Sequence, residues 1–397
     1  MRKLRWWSVR SARGAAAVWL VVTGLAAVAG ATPLSYRLVG IGHLPMEKDP
    51  PDLDASFAHD VNDAGVVVGQ SSTSIGAVPQ LATGDFHAVR FTEAGGLEDL
   101  GDLALGGDTS AANGINSGGV IVGRAETLAG VPPANATHAA LWPYPSPIQD
   151  ISGGTISEAV AINDAGHVAG VTGASGNQQG FLWTSGGGMT SLAQPSGALQ
   201  SFIEDLNDSD SVVGHATLAA GERAFLWNGI ATPLDLGDLD GDGGESFAFA
   251  INDAGLIVGS SDDDGQQRAF RRDPTTGVLE GLLHLPGGDF GSARDVNASG
   301  MIVGTAWDPV SLEFHAVLWD PDGAIHDLHD LLFENMPGWT LEQALAISDT
   351  GYIAGVATNP SGEPEGFLLV PIPEPGSAAL LIAGLSLLAA RRRLEER

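Results

Sequence analysis

Short apolar runs separated by turn residues fill the middle of this 397-residue chain, and one ten-residue pattern of them recurs seven times. The pattern is an apolar residue, Asn, turn residues, Gly, three apolar residues and a closing Gly, as in residues 250 to 259. Its Asn position falls at Asn62, Asn116, Asn163, Asn207, Asn252, Asn297 and, substituted, Ser348. Because these positions are 44 to 54 residues apart, the chain contains a repeat of about 45 residues.

Two further patterns accompany each copy. One resembles His-Ala-x-Leu-Trp, as in residues 138 to 142 and 315 to 319, and the other reads Asp-Leu-Gly-Asp-Leu, as in residues 99 to 103. The apolar run 256 to 258 is typical of an interior strand covered on both faces. Each unit therefore predicts four short strands.

The turn in each unit explains why the same residue types recur. An Asn side chain can form a hydrogen bond with the backbone two residues further along the chain, and the following Gly supplies a positive φ. Asp210 tolerates that geometry in one unit, and Ser348 replaces Asn in another. The closing Gly indicates a β-bulge or a close backbone approach. The turn glycines are Gly65, Gly119, Gly166, Gly255, Gly300 and Gly351.

Seven units of four strands predict an all-β fold, a seven-bladed β-propeller. The alternative is an open β-solenoid, but solenoid rungs are usually shorter and need distinct caps. The first unit, beginning near Tyr36, and the last, ending near Leu369, both look complete. We therefore expect a closed ring, which leaves no exposed edge strand.

Both ends of the chain predict targeting segments. Residues 1 to 31 contain a basic start, an apolar run and a small-residue cleavage site, as in a secretory signal peptide. At the other end, Pro373, Glu374 and Pro375 precede an apolar run of 15 residues and then Arg391, Arg392 and Arg393. As a helix this run spans about 22 Å, which places the preceding chain across a membrane from the arginines.

This tail resembles the PEP-CTERM sorting signal of Gram-negative bacteria that make exopolysaccharide. The repeats, over residues 36 to 369, resemble the HAF-repeat family of extracellular proteins. The first resemblance implies a transient inner-membrane anchor, cleavage by an exosortase-type enzyme, and a final place at the cell surface or in the extracellular matrix. The second carries over no catalytic residue. We expect a signal peptide (1–31), a repeat domain (35–370) and a sorting tail (372–397).

The charge of the chain restricts its partners. Between residues 32 and 375 there are 9 Lys and Arg against 46 Asp and Glu, a formal charge of −37. Such a surface repels nucleic acid and anionic lipid, and it suits divalent cations and neutral or basic polymers. Cysteine is absent, so neither disulfides nor thiolate chemistry is available.

One acidic segment is a candidate calcium site. Asp238, Asp240 and Asp242 alternate with turn residues, an arrangement of oxygen ligands that suits a hard cation. The segment is incomplete as an EF-hand, since its twelfth position is Phe249. It also aligns with the ordinary repeat turn at residues 102 to 107, which is the alternative interpretation. No other cofactor is expected.

Several histidines could serve as ligands or bases. His326 and His329 would point to opposite faces of a strand, so they are not expected to share a metal. His87, His138 and His315 begin the same strand in three units, and Arg223 and Arg268 replace them in two others. This interchange favours a hydrogen-bonding role. Asp262 to Asp264 are interpreted as a solvated hairpin tip.

Trp307 and Trp339 lie outside the Trp position of the repeat, and aromatic faces near carboxylates suit sugar rings. The longest irregular stretches, His43 to Ser56 and Ser71 to Asp85, are further places for a binding groove.

No catalytic motif is present: the chain lacks G-x-S-x-G, H-E-x-x-H and a phosphate-binding loop. A glycosidase needs only two carboxylates, which an acidic chain supplies by chance. We predict an exported, non-enzymatic surface or matrix protein, a binding or structural module associated with exopolysaccharide or biofilm. The alternatives are a polysaccharide-active hydrolase or lyase, and a scaffold for other exported proteins.

Overall fold

The computed structural model describes residues 35–44, 55–73, 85–103, 106–127, 136–144, 146–229 and 232–372. The expected signal peptide and the sorting residues Pro373 to Pro375 and Arg391 to Arg393 lie outside these ranges. Within them, no helix has both the length and the apolar character needed to cross a membrane.

The described chain forms seven four-stranded antiparallel sheets, which confirms the predicted seven-bladed β-propeller. The innermost strand of each sheet contacts the innermost strand of the next, and the last of them contacts the first. The ring is therefore closed, and the open solenoid is excluded. We number the sheets blades 1 to 7 in chain order.

The strands begin with β1 (Tyr36–Gly40). Blade 1 contains β2 (Ser56–Val61), β3 (Val67–Thr73), β4 (Asp85–Thr92) and β5 (Gly96–Asp99), and blade 2 contains β6 (Gly106–Ile115), β7 (Ile121–Thr127), β8 (Thr137–Trp142) and β9 (Gln149–Asp150). Blade 3 contains β10 (Ser157–Ile162), β11 (Val168–Thr172), β12 (Gln179–Thr184) and β13 (Gly188–Ser191), and blade 4 contains β14 (Gln200–Leu206), β15 (Ser211–Leu218), β16 (Gly221–Asn228) and β17 (Leu234–Asp235). Blade 5 contains β18 (Ser246–Ile251), β19 (Ile257–Asp263), β20 (Gln266–Arg272) and β21 (Leu279–Gly281), and blade 6 contains β22 (Gly291–Val296), β23 (Ile302–Asp308), β24 (Glu313–Trp319) and β25 (Ile325–Asp327). Blade 7 contains β26 (Thr340–Ile347), β27 (Ile353–Thr358) and β28 (Pro364–Pro371), and β1 is its fourth strand.

The pairing of β1 corrects one expectation. Tyr36 does not open the first unit: β1 pairs antiparallel with β28, from Tyr36 opposite Pro371 to Gly40 opposite Phe367. The Tyr36 backbone also donates a 2.9 Å hydrogen bond to Leu331, in the loop that enters blade 7. Because the two ends of the described ring share one sheet, its closure is held by backbone hydrogen bonds.

The closing glycine of each repeat allows two backbones to approach. In blade 5 the inner strand has a bulge between Ala248 and Ala250, opposite Gly259. A Cβ atom at Gly259 would collide with the carbonyl oxygen of Phe247 on the neighbouring strand. The same collision, with the equivalent carbonyl, would occur at Gly69, Gly123, Gly170, Gly214, Gly304 and Gly355.

Side chains join each blade to the next. The indole of Trp227 in blade 4 donates a 2.8 Å hydrogen bond to the Ala193 carbonyl, which follows blade 3, and Trp319 bonds Leu283 in the same way at 2.7 Å. The Ser246 hydroxyl of blade 5 accepts the backbone N–H of Ala224 in blade 4 at 3.0 Å. Apolar clusters of buried Ala, Val, Ile and Leu fill the spaces between neighbouring blades.

The propeller has two faces. The Asn face carries the turns between the first and second strands of the blades, such as residues 252 to 255. The loop face is the opposite end. It carries the loops between second and third strands, such as residues 309 to 312, and the connections between blades, such as residues 282 to 290.

Candidate functional site

The Asn turns surround the channel mouth on the Asn face. In blade 4 the Asn207 side-chain oxygen accepts the backbone N–H groups of Ser209 and Ser211, both at 3.0 Å, as an Asn turn requires. The turn glycines have φ values between 70° and 89° at the end of their turns, and Asp210 has φ 58°. The local turn thus has the geometry that its residue types allow.

The same Asn side chains also link the blades, which the sequence pattern did not indicate. The amide of Asn207 donates a 3.1 Å hydrogen bond to the Asn252 carbonyl in the next blade. The seam between blades 7 and 1 differs, because the side chain of Ser348 has no amide group. There Thr350 donates its backbone N–H to Asp63 at 3.0 Å. Equivalent amide bonds of 3.0 to 3.2 Å start from Asn62, Asn116, Asn163, Asn252 and Asn297.

A rim of carboxylates follows the Asn ring. The rim residues follow the Asn position in five of the seven blades: Asp63, Asp164, Asp208, Asp253 and, after Ser348, Asp349. Each accepts a backbone N–H from the preceding blade. Asp253 accepts that of Asp208 at 2.9 Å, for example. The rim is acidic, yet its carboxylates hold adjacent turns together.

Three further aspartates lie two residues before the Asn, in blades 1, 4 and 6. One oxygen of each accepts the N–H of its own next residue at 2.7 Å, and the other accepts an N–H of the following blade. Asp60 bonds Ile115 at 2.8 Å, Asp205 bonds Ile251 at 2.8 Å and Asp295 bonds Ile347 at 2.7 Å. These aspartates therefore bridge blades 1 and 2, blades 4 and 5, and blades 6 and 7.

The three bridging aspartates are weaker acids than an ordinary aspartate, because their pKa values are raised. Burial raises the pKa of Asp60 to about 6, of Asp205 to about 7 and of Asp295 to about 8. The charges of Asp205 and Asp60 contribute to the rise at Asp295. No two of the three stand in adjacent blades, yet their charges act on one another, because the innermost strands that carry them surround a common axis. We call Asp60, Asp205 and Asp295 the axial aspartates. Carboxylates with such pKa values can take up and release protons near neutral pH.

The structure brings the three proposed calcium ligands together. One carboxylate oxygen from each of Asp238, Asp240 and Asp242 lies within 4.8 Å of the others. Asp238 also pairs with Arg223 at 3.2 Å and accepts two backbone N–H groups of the loop. The backbone N–H of Asp264 lowers the pKa of Asp240, whereas the charge of Asp240 raises the pKa of Asp242.

The hairpin at residues 262 to 264 lies against this loop, because Asp264 donates its N–H to Asp240 at 3.2 Å. Asp263 pairs with Arg268 at 2.8 Å, and Asp264 has φ 55° at the hairpin tip.

The repeated histidines bond to carboxylates within their own blades. Hydrogen bonds of 2.9, 2.8 and 2.6 Å join His87 to Asp99, His138 to Asp150 and His315 to Asp327. Each bond connects the third strand of a blade to its fourth. Arg223 has the equivalent position in blade 4 and contacts Asp238 instead.

His326 lies in β25 but His329 does not, so the expectation that the two point to opposite faces of one strand does not apply. His326 bonds Asp320 at 3.1 Å, and His329 is exposed in the turn that follows β25. Among the described residues, Asp238, Asp240 and Asp242 are the group of His, Cys, Asp or Glu with metal-ligand spacing.

The two tryptophans outside the repeat position belong to different parts of the fold. Trp339 packs beside the buried core of blade 7. Trp307 lies at the end of β23 on the loop face and makes an edge contact with Phe314, with ring centroids 5.1 Å apart. Most residues of the two irregular stretches, 43 to 56 and 71 to 85, lie outside the described part of the chain.

No family model and no curated protein matches the chain. Among solved structures, the chain is similar to the β-propeller domain of the Trilobed protease from Pyrococcus furiosus, with a TM-score of 0.54 and 10% identity over 81% of this chain and 99% of that chain. It is similar to oligogalacturonate lyase in complex with manganese, with a TM-score of 0.52 and 11% identity over 86% of this chain and 97% of that chain. It is also similar to the acylaminoacyl peptidase of Pyrococcus horikoshii, with a TM-score of 0.52 and 10% identity over 80% of this chain and 51% of that chain. At such low identity these likenesses show the fold alone, so the class established is the β-propeller.

Proposed function

We propose that the protein is an exported, non-enzymatic binding or structural module of an extracellular polysaccharide layer. The observation that carries the proposal is that the side chains that could act in catalysis are engaged in hydrogen bonds that support the fold. The repeated His residues bond to Asp, the Asn ring bonds blade to blade, and the axial and rim carboxylates accept backbone N–H groups. The exposed loops are then the parts of the propeller that meet a partner.

The export half of the proposal rests on the two ends of the chain. The tail resembles a PEP-CTERM sorting signal, and the first 31 residues have the order of a signal peptide. The cysteine-free, strongly acidic propeller between them suits an oxidising space outside the cytoplasm and a neutral or basic polymer.

A second candidate function is a polysaccharide-active hydrolase or lyase. The observation that favours it is the trio of axial carboxylates, since Asp60, Asp205 and Asp295 have pKa values of about 6, 7 and 8. General acid and base groups need pKa values near the working pH. The two backbone N–H bonds to each carboxylate favour the structural role instead.

Incubation of the purified full-length protein with extracellular polysaccharides tests both functions. Retention on the polymer and release of new reducing ends or unsaturated chain ends should be followed in the same samples. We expect retention without cleavage. Cleavage that disappears in Asp205→Asn would establish the enzyme instead, and absence of retention on every polymer would refute the binding function.

A further inference from the structure

The loop face of blade 6 carries an exposed apolar and aromatic patch, which we call the blade 6 patch. It consists of Phe290, Trp307, Val310, Leu312 and Phe314. Val310 is 87% exposed, Leu312 68% and Phe314 42%. Exposed apolar side chains grouped in one part of a surface often mark a binding site.

Three rings of this patch form a corner. Phe314 meets Trp307 edge to face at an interplanar angle of 68°, and it meets Phe290 at 69° with centroids 5.3 Å apart. The backbone N–H of Trp307 bonds the Phe290 carbonyl at 3.2 Å, which fixes the hairpin against the preceding loop. Among the described residues, arginines stack on two other rings, Arg90 on Tyr144 and Arg294 on Phe249, and none stacks on these three.

The hairpin has one strained residue. Its turn is otherwise stabilised, because the Asp308 carboxylate accepts the N–H groups of Val310 at 3.0 Å and Ser311 at 3.1 Å, and these bonds lower the pKa of Asp308. Leu312 has φ 61°, a left-handed conformation that is rare for a branched side chain. Backbone strain of this kind is concentrated at functional segments.

The sequence around the patch contains few cations. Arg294 is the one Lys or Arg between residues 273 and 390, and its guanidinium lies over Phe249, on the inner strand of blade 5. Arg268 interacts with His284 in the loop before Phe290, but its guanidinium is paired with Asp263 at 2.8 Å. Asp289 is exposed next to Phe290 in the loop, whereas Glu313, the strand neighbour of Phe314, points to the opposite face of β24. An ordinary salt concentration screens charges beyond about 8 Å, so an exposed carboxylate next to a ring matters more than the distant charges of the chain.

These observations together select a cationic partner. Aromatic faces attract ammonium groups, Trp most strongly, and the carboxylate of Asp289 adds a favourable charge. The three rings come from one hairpin and one loop. Such a surface contains far fewer residues than the roughly 20 to 30 that each partner contributes to a typical protein interface. A sugar ring with an amino group matches both the size and the charge of this site.

We propose that the blade 6 patch binds a polysaccharide that carries free amino groups. This inference rests on the proposed polysaccharide-binding function and names its ligand class. The sugar ring would stack on the aromatic corner, and its ammonium group would lie near Asp289. Amino groups of successive sugars would give several such contacts along one polymer.

Binding of the full-length protein in non-ionic detergent to immobilised chitosan at pH 6 provides the test. The same chitosan after N-acetylation is the neutral comparison, and polygalacturonate is the anionic one. We expect clear preference for chitosan. Phe314→Ala and Phe314→Leu should each weaken binding at least about tenfold, since both remove the ring.

Phe333→Ala is the matched control, because Phe333 is 67% exposed and is not part of the patch. It should change the affinity less than about twofold. Circular dichroism and melting temperature of each variant verify that the propeller is intact. Phe314 variants alter no charge, so they separate the patch from general attraction between an acidic protein and a basic polymer.

Five results would overturn the inference. Equal binding by wild type and Phe314→Ala would show general charge attraction, and equal binding of acetylated chitosan would show recognition of a neutral sugar. Tighter Phe314-dependent binding of polylysine would indicate a basic protein partner. Retention on polygalacturonate alone would refute the amino-sugar ligand yet leave the polysaccharide-binding function standing. Retention on no polymer would refute both.

Discussion

The side-chain amide of Asn207 donates a 3.1 Å hydrogen bond to the backbone carbonyl of Asn252, 45 residues further along the chain. The Asn207 oxygen meanwhile accepts two N–H groups of its own turn. One buried side chain therefore fixes a turn and attaches it to the next blade. Because the bond recurs around the ring, the Asn repeat sets both the turn geometry and the spacing between blades.

Asn207→Asp should separate these two roles. Aspartate keeps the oxygen that accepts the turn N–H groups, but it has no N–H to donate and places a charge against the Asn252 carbonyl. We expect a loss of about 1 to 3 kcal/mol in the free energy of unfolding, measured by urea denaturation at pH 7. Asn177→Asp, at an exposed loop position, is the control and should be close to neutral. Equal stability of the two variants would show that the link between blades contributes nothing.

Gly259→Ala should destabilise the propeller by about 1 to 3 kcal/mol, because its methyl group would collide with the Phe247 carbonyl oxygen. Gly186→Ala is the matched control. Gly186 lies in an exposed turn, and a Cβ atom there meets no other atom within 4 Å. Thermal melts of both variants measure the difference. A Gly259 variant as stable as the wild type would mean that the two strands separate at little cost.

The axial aspartates should make stability depend on pH. Burial raises the pKa of Asp295 from 3.8 to about 8, so folding favours its protonated form. This contribution is complete below about pH 4 and is lost as the pH rises through the folded-state pKa. Asp205 and Asp60 act in the same direction, up to about pH 7 and pH 6.

Urea denaturation between pH 4 and pH 8 measures this effect, with Asp295→Asn beside the wild type. The free energy of unfolding of the wild type should fall more steeply with pH than that of the variant, whatever the absolute stability of the variant. Asp322→Asn, at an exposed turn, should keep the wild-type slope. Parallel curves for Asp295→Asn and wild type would refute the pKa shift.

The calcium hypothesis for Asp238, Asp240 and Asp242 predicts a higher melting temperature in millimolar calcium than in chelator. Asp240→Asn should remove this difference, because it removes one ligand charge and reduces the repulsion at Asp242. Asp322→Asn is again the control for an exposed aspartate. An identical wild-type melting temperature in calcium and chelator would eliminate the site.

The sorting hypothesis predicts a change in location. Replacing Pro373, Glu374 and Pro375 with alanine should leave the full-length protein in the inner membrane, because the processing enzyme would not recognise the tail. Fractionation and immunoblotting measure the full-length and processed forms. Pro360→Ala, in the exposed loop between β27 and β28, is the control and should be released like the wild type. Normal release of the triple variant would refute the hypothesis.

The sequence by itself determined the blade count, the four-strand unit and the turn at Asn252, because a periodic pattern of apolar runs, Asn and Gly is local information. It did not reveal that β1 belongs to blade 7, since the pairing of Tyr36 with Pro371 joins residues at opposite ends of the ring. Nor did it reveal the blade-bridging aspartates. Asp60, Asp205 and Asp295 occur in only three of the seven units, without regular spacing along the chain.

For the candidate sites, the sequence identified residue types, and only the tertiary structure identified their neighbours. The spacing of Asp238, Asp240 and Asp242 was enough to propose one acidic loop, since those residues are four positions apart at most. Trp307 stood out as an irregular tryptophan, but its contact with Phe314 and the nearby Phe290 depends on a hairpin and a loop from the preceding blade. Contacts between blades depend on how the ring closes, and closure is a property of the whole fold rather than of any one repeat.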